Sequence, residues 1–254
     1  MIERVRGVAR LGALFGVIVW AAVTWLACPA ERRDLAARAR WLRRTCARML
    51  RVLNVRVVAK GSPPAGGVIL AANHLGYLDI LVLGAATPTV FVAKSEVRGW
   101  PLFGWMAARA GTRFIDRGRT RDVARVGVEV GEAVDAGVAV AVFLEGTSTD
   151  GRTVANFKSS LLAPAVAAGW PVAPVALGYG MPEGRSADTE VCWWGEMELA
   201  PHLANLCTLP WVEARIGWGV SLPAKGDRKE LAHYCRKQII DMMGNMDLVS
   251  SGKF

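Results

Sequence analysis

Apolar positions along this chain fall into three regimes. The first is a run without a charge, twenty residues from Leu11 to Ala30. At about 1.5 Å per residue, a helix of that length matches a hydrocarbon core of roughly 30 Å. Trp20 and Trp25 suit the interface. A cleaved signal is the rival reading, although its apolar region is usually about 7–15 residues. Cys28 raises a lipoprotein signal, for which Trp25 is a poor fit. A helix that enters the membrane without crossing it is a third option. The expectation is membrane anchoring in one of these forms.

The second regime is amphipathic. Between Glu31 and Leu53, the residues Leu35, Ala39, Leu42, Cys46, Met49 and Leu53 recur at spacings of three and four, the signature of one helical face. The arginines lie mostly off that stripe. Directly after an anchor, the pattern predicts a helix lying on an anionic membrane surface. The alternative is a helix packed on the domain with a solvated basic face.

The third regime alternates short apolar runs with helical periods. Strands are predicted at Val55–Ala59, Val68–Ala72, Thr89–Ala93, Thr112–Ile115, Val138–Leu144, Val172–Gly178 and Val212–Val220. Helices are predicted at Asp79–Ala86, Leu102–Ala110, Arg121–Ala136, Lys158–Ala168 and Asp227–Met243. The polar stretch Met181–Thr189 reads as an exposed loop. The alternation predicts an α/β fold with a mixed, largely parallel sheet flanked by helices. The chain then divides into an anchor plus basic amphipathic helix over 1–54 and a globular domain over 55–254.

Composition sharpens this picture. The chain has 254 residues, is 52% hydrophobic and carries a net charge of +9. The basic excess, mostly arginine, suits anionic lipid, a phosphorylated substrate or nucleic acid. No P-loop or GxGxxG is present, and the basic residues are not interleaved with aromatics as base stacking requires, so nucleic acid is not expected. The five cysteines form no CxxC pair. That points to a reducing compartment and to no metal site. Arginines flank the apolar run on both sides, more densely after it, which places the main domain on the cytoplasmic side of the inner membrane.

Candidate chemistry begins at Asn73-His74-Leu75-Gly76-Tyr77-Leu78-Asp79, just past the Val68–Ala72 strand. The chain has only three histidines. A histidine backed by a carboxylate takes a proton from a hydroxyl near neutral pH. On a straight helix, a separation of five residues turns through roughly 140°. The two side chains therefore meet only if His74 lies in a loop and Asp79 on the following first turn, a bend that Gly76 permits. The bland reading is a helix-capping Asp beside a satisfied polar His. A second segment, Gly111 to Arg119, sets Arg113, Arg117 and Arg119 around a short apolar core. Arginine is a bidentate partner for phosphate or carboxylate, but a solvated loop with an Asp116 ion pair explains the same residues. The third segment, Phe143 to Gly151, follows the strongest strand, and Glu145, Thr147 and Ser148 would line the carboxyl end of that strand. Gly146-Thr147-Ser148-Thr149-Asp150 also comes near the G-x-S-x-G elbow of serine hydrolases, which needs a strand–Ser–helix turn. His202, His233 and Cys192-Trp193-Trp194 read as packing or interface residues.

Taken in order, Asn73-His74-x4-Asp79, Phe114-Ile115-Asp116-Arg117, Glu145-Gly146-Thr147 and Val172-Ala173-Pro174-Val175 resemble the lysophosphatidic-acid (PlsC-like) acyltransferase family. Lys94-Ser95-Glu96 and Trp100-Pro101-Leu102-Phe103-Gly104 fit the same pattern. The resemblance implies that 55–254 is an acyltransferase domain. It implies His74 as general base, Asp79 as its orienter, and acceptor-binding roles for Arg113, Arg117, Glu145, Gly146, Thr147, Ser148 and Lys158. It implies no metal or cofactor, a lysolipid acceptor, and an acyl thioester on acyl carrier protein or coenzyme A as co-substrate. The run Glu145-Gly146-Thr147-Ser148-Thr149-Asp150-Gly151, with Phe157-Lys158-Ser159-Ser160-Leu161 downstream, looks closer to the bacterial lyso-ornithine-lipid branch. Ser148 stands where enzymes acting on lysophosphatidic acid often carry Arg. The acceptor expected is therefore lyso-ornithine lipid, with 1-acylglycerol-3-phosphate as the alternative. A membrane-bound serine hydrolase and a non-enzymatic basic membrane-binding protein are the competing classes.

Overall fold

The computed structural model describes residues 1–116 and 120–250. The chain opens with three helices, α1 (Ile2–Ala27), α2 (Ala30–Arg33) and α3 (Leu35–Leu53). Strands and helices then alternate: β1 (Val55–Lys60), β2 (Ile69–Ala72), α4 (Leu78–Ala86), β3 (Thr89–Lys94), α5 (Phe103–Ala110), β4 (Arg113–Ile115), α6 (Thr120–Asp135) and β5 (Ala139–Phe143). The remainder is α7 (Ala163–Ala168), β6 (Pro171–Gly180), α8 (Ala187–Glu190), α9 (Leu199–Thr208), β7 (Val212–Trp218), β8 (Leu222–Pro223) and α10 (Arg228–Ser250).

The strands form one sheet in the order β1-β7-β6-β2-β5-β3-β4, with β8 beside β6. Contacts are parallel except β6 with β7 and β6 with β8. Both faces are covered, which is why the central strands read as unbroken apolar runs. Leu70 and Ala72 of β2 join one buried cluster with α3, α4 and α9. Ile69 and Ala71, one step out of phase, join a second cluster with α6 and α10. This is the two-residue alternation of a strand buried twice. The predicted strands and helices are all present with small boundary shifts, but α9 and β8 lie outside the prediction, and α8 adds one turn across the end of the predicted 181–189 loop.

The amphipathic helix needs a correction. Trp41, Leu42, Cys46, Met49, Leu50 and Leu53 of α3 are buried in the core against α4 and the sheet, not laid on a lipid surface. Burying each large side chain is worth about 1.5–3 kcal/mol, and α4 supplies an apolar partner that the local pattern did not reveal. The outer face of α3 keeps Arg40, Arg43, Arg44 and Arg51 exposed. The 1–54 segment thus shares the core of the domain it precedes.

Helix α1 is long and apolar enough to cross a membrane. It lies along α9 and α3. Gly7, Leu14, Ala21 and Trp25 face inward. The Trp41 indole N–H donates to the Ala21 carbonyl at 3.3 Å and the Thr24 hydroxyl at 3.2 Å. Arg6 donates to the Thr208 carbonyl at 3.0 Å, and Arg10 reaches the Leu209 carbonyl. The two guanidinium groups thereby satisfy carbonyls that the end of α9 leaves without helical partners. Val5, Val8, Phe15, Val19, Val23 and Leu26 form an exposed apolar stripe on the other side of α1.

Candidate active site

The parallel strands β2, β5 and β3 end side by side, with Ala72 opposite Phe143 and Val175 in register. Open α/β sheets bind ligands at this edge. β6 continues past the end of β2 as far as Gly180. Asn73 lies against this extension. Its side-chain amide donates to the Leu177 carbonyl at 3.0 Å and accepts from the Leu177 N–H at 2.8 Å. The side chain thereby imitates one more rung of backbone pairing and fixes where the next residues leave the sheet.

Those residues bend as the sequence requires. Gly76 has φ of 152°, and a Cβ there would lie 2.9 Å from the Trp193 backbone nitrogen. The Trp193 N–H itself donates to the Leu75 carbonyl at 2.7 Å. The bend returns Asp79, in the first turn of α4, to His74: Nδ1 and Oδ2 are 2.8 Å apart. Oδ2 also accepts the N–H groups of Leu75 at 2.6 Å and Gly76 at 3.0 Å. Oδ1 accepts the Tyr179 hydroxyl at 2.6 Å. Asp79 is fully buried, a state that a carboxylate sustains only with such a set of donors. Because the carboxylate can only accept, His74 carries its proton on Nδ1 and presents the Nε2 lone pair elsewhere.

The imidazole stacks on Phe143, centroids 4.0 Å apart at 16°. Its side chain stays 21% exposed and lines a cavity of about 320 Å³, within the range of small-ligand sites. Ile80, Phe91, Val97 and Trp100 make part of the wall apolar, and Lys94 is the one cation among the described lining residues. Gly146, Thr147 and Ser148 line it too. Trp193 and Trp194, read from sequence as packing residues, lie on the same wall.

Glu145 sits beside the site in a different role from the expected one. It is buried, and its two oxygens accept the His74 N–H at 2.7 Å and the Ala155 N–H at 2.6 Å. It ties the histidine's backbone to the 155 loop rather than facing the cavity. Burial pushes its carboxyl above the usual range. Glu145→Ala leaves two backbone donors without partners. At about 1–3 kcal/mol each, it should lower unfolding free energy by roughly 2–6 kcal/mol in a urea titration.

The other cations divide. Arg113 turns to the α6 side, where its guanidinium approaches Glu129 at 3.8 Å and Glu132 at 3.9 Å. The reason is strand alternation: Arg113 shares a face with Ile115, which packs under α6. Lys158 is exposed and does not line the cavity, and its backbone N–H donates to the Leu144 carbonyl at 2.8 Å. Arg117 lies outside the described residues.

Ser148 has no hydrolase geometry. The chain beyond it runs as turns and loop as far as the short 3-10 turn at Ser159–Leu162, so the strand–Ser–helix elbow does not form. Burial raises the thiols of Cys46 and Cys235 to about 12, which leaves them unreactive.

A family profile described as Acyltransferase matches residues 54–178. A lyso-ornithine lipid O-acyltransferase from Pseudomonas aeruginosa is 36% identical over 203 residues, covering 78% of this chain and 75% of that protein. The chain belongs to the acyltransferase family. A Brucella abortus protein of the same description is 36% identical over 202 residues, 74% of each chain. A 1-acyl-sn-glycerol-3-phosphate acyltransferase from Neisseria gonorrhoeae is 40% identical to this acyltransferase over 113 residues, 44% of each chain. The crystal structure of the 1-acyl-sn-glycerophosphate (LPA) acyltransferase PlsC from Thermotoga maritima has the same fold. Its TM-score is 0.67 at 23% identity, over 98% of this chain and 100% of that one.

Proposed function

We propose that this acyltransferase moves a fatty acyl group from a thioester, on acyl carrier protein or coenzyme A, to the free hydroxyl of lyso-ornithine lipid. The observation that carries the reading is His74, with Nδ1 held by Asp79 and the ring set in the wall of a largely apolar cavity. Nε2 takes the proton of the acceptor hydroxyl as its oxygen attacks the thioester carbonyl. The tetrahedral intermediate collapses, the C–S bond breaks, and the proton on Nε2 passes to the leaving thiolate. Asp79 opposes the transient imidazolium charge. The acyl chain is held by apolar wall, at about 0.8 kcal/mol per buried methylene.

Two features favour the ornithine acceptor. The enzymes of that description match about three quarters of their own length, against 44% for the phosphate-acceptor enzyme. The described wall offers one cation, Lys94, which suits a single carboxylate better than a phosphate dianion. The same Lys94, with the Neisseria similarity, keeps 1-acylglycerol-3-phosphate as the second reading. The test is an acceptor panel with purified protein, offering each lysolipid with acyl carrier protein and coenzyme A thioesters. Faster transfer to lyso-ornithine lipid is expected. A preference for lysophosphatidic acid installs the second reading, and no transfer to either removes both. Lys94→Gln should raise KM for the preferred acceptor about tenfold with kcat little changed, the loss of one charge-assisted contact.

Membrane association is part of the proposal. The exposed stripe of α1 supplies an apolar surface, and the exposed arginines of α3 suit anionic lipid on the cytoplasmic side. The packing of α1 along α9, with Arg6 and Arg10 on its last carbonyls, favours a helix that enters the membrane with the domain attached.

A further inference from the structure

The rear of the His74–Asp79 pair is closed by a residue that no motif contains. β6 extends beyond β2, and Asn73 is clamped to Leu177 on that extension. Two residues further along, Tyr179 reaches Asp79 with its hydroxyl, 2.6 Å from Oδ1. Oδ2 is taken by His74 and two backbone N–H groups. Tyr179 is therefore the one side chain among the described contacts on the other carboxylate oxygen. It also lines, with Leu75 and Cys192, a second cavity of about 250 Å³ away from the substrate side. Its ring thus lies between Asp79 and that space.

We infer that Tyr179 is a positioning residue for acyl transfer, holding Asp79 by its second oxygen and setting how strongly Asp79 draws the proton of His74. The inference rests on the proposed role of His74 as general base. A hydroxyl donating to a carboxylate draws charge away from the oxygen facing the histidine. Asp79 then opposes an imidazolium charge on His74 less strongly. Burial and the neighbouring Asp79 hold the Tyr179 hydroxyl well above its ordinary pKa, so it remains a donor throughout the working range. Without the hydroxyl, Asp79 concentrates its charge on His74, and one oxygen of a buried carboxylate loses its partner.

Other ionisable groups face the pair. Glu145 accepts the His74 backbone N–H. Lys94 and Tyr77 stand on the substrate cavity wall. Cys192 lies behind Asp79, with Asp150, Arg152, Asp188 and Arg215 around the rear cavity. All remain in place when only residue 179 changes, so a shift that follows residue 179 reports its hydroxyl.

The experiment measures the pH profile of kcat/KM for the wild-type full chain, for Tyr179→Phe, and for protein carrying 2,3-difluorotyrosine at 179. The acid limb should move up by about half a pH unit in the phenylalanine variant, with kcat on the plateau reduced several-fold and KM for the lysolipid unchanged. The fluorinated residue is a stronger donor at nearly the same size, so its acid limb should move down. It also decides the matter should Tyr179→Phe fail to fold. An acid limb at the wild-type position in every variant that folds would overturn the role assigned to Tyr179. Absence of transfer by the wild-type protein would instead overturn the proposed function.

Discussion

His74→Ala is expected to reduce acyl transfer about a thousandfold while leaving the fold intact. The side chain stands at the cavity wall, and its loss opens no sealed core. Asp79 keeps the Leu75 and Gly76 N–H donors and the Tyr179 hydroxyl, so no buried charge is stranded. The cavity wall from Ile80 to Trp100 is untouched, so acceptor KM should change little. What disappears is the group proposed to take the hydroxyl proton as the oxygen attacks. Transfer assays on purified protein, with thermal unfolding alongside, check both halves. Full activity in this variant would remove the mechanism.

The proposed mechanism adds a second task to the structural one of Asp79, and two substitutions separate them. Asp79→Asn retains an acceptor for the Leu75 and Gly76 N–H groups and turns its amide toward the Tyr179 oxygen. The bend should survive, but the charge opposing the imidazolium is gone, and activity should fall on the order of a thousandfold. Asp79→Ala removes every acceptor. Two buried N–H groups and one buried hydroxyl are then unsatisfied, and unfolding free energy should drop by roughly 3–5 kcal/mol. For a domain whose total stability is about 5–15 kcal/mol, that is a large fraction. Urea titrations of the two variants should therefore differ sharply although both lose activity. Equal stability of Asp79→Ala and wild type would show that the carboxylate is not what holds the bend.

The site was only partly legible along the chain. His74 and Asp79 were visible because a strand, a loop with glycine and a helix start place them within five residues. The Gly146–Ser148 loop was visible because it follows the strongest strand. Glu145 was visible as a position but not as a clamp, since its partners, the N–H groups of His74 and Ala155, are chosen by the folded path. Arg113 was misplaced because strand phase, not nearness in sequence, decides which face a side chain takes. Trp193, Trp194 and Tyr179 carried no local signal at all. Tyr179 is a hundred residues from Asp79 and reaches it only because β6 outruns β2 at the sheet centre.

The alternation of strands and helices apart from α9 and β8, the apolar first helix and the histidine–aspartate bend follow from the sequence by itself, because each depends on periodicity or on residues a few positions apart. Tertiary structure alone decided which face of α3 meets the core, which cations reach the cavity and what stands behind Asp79. Those outcomes depend on which distant apolar surface is available to be buried and which distant donor is near enough to satisfy a buried oxygen.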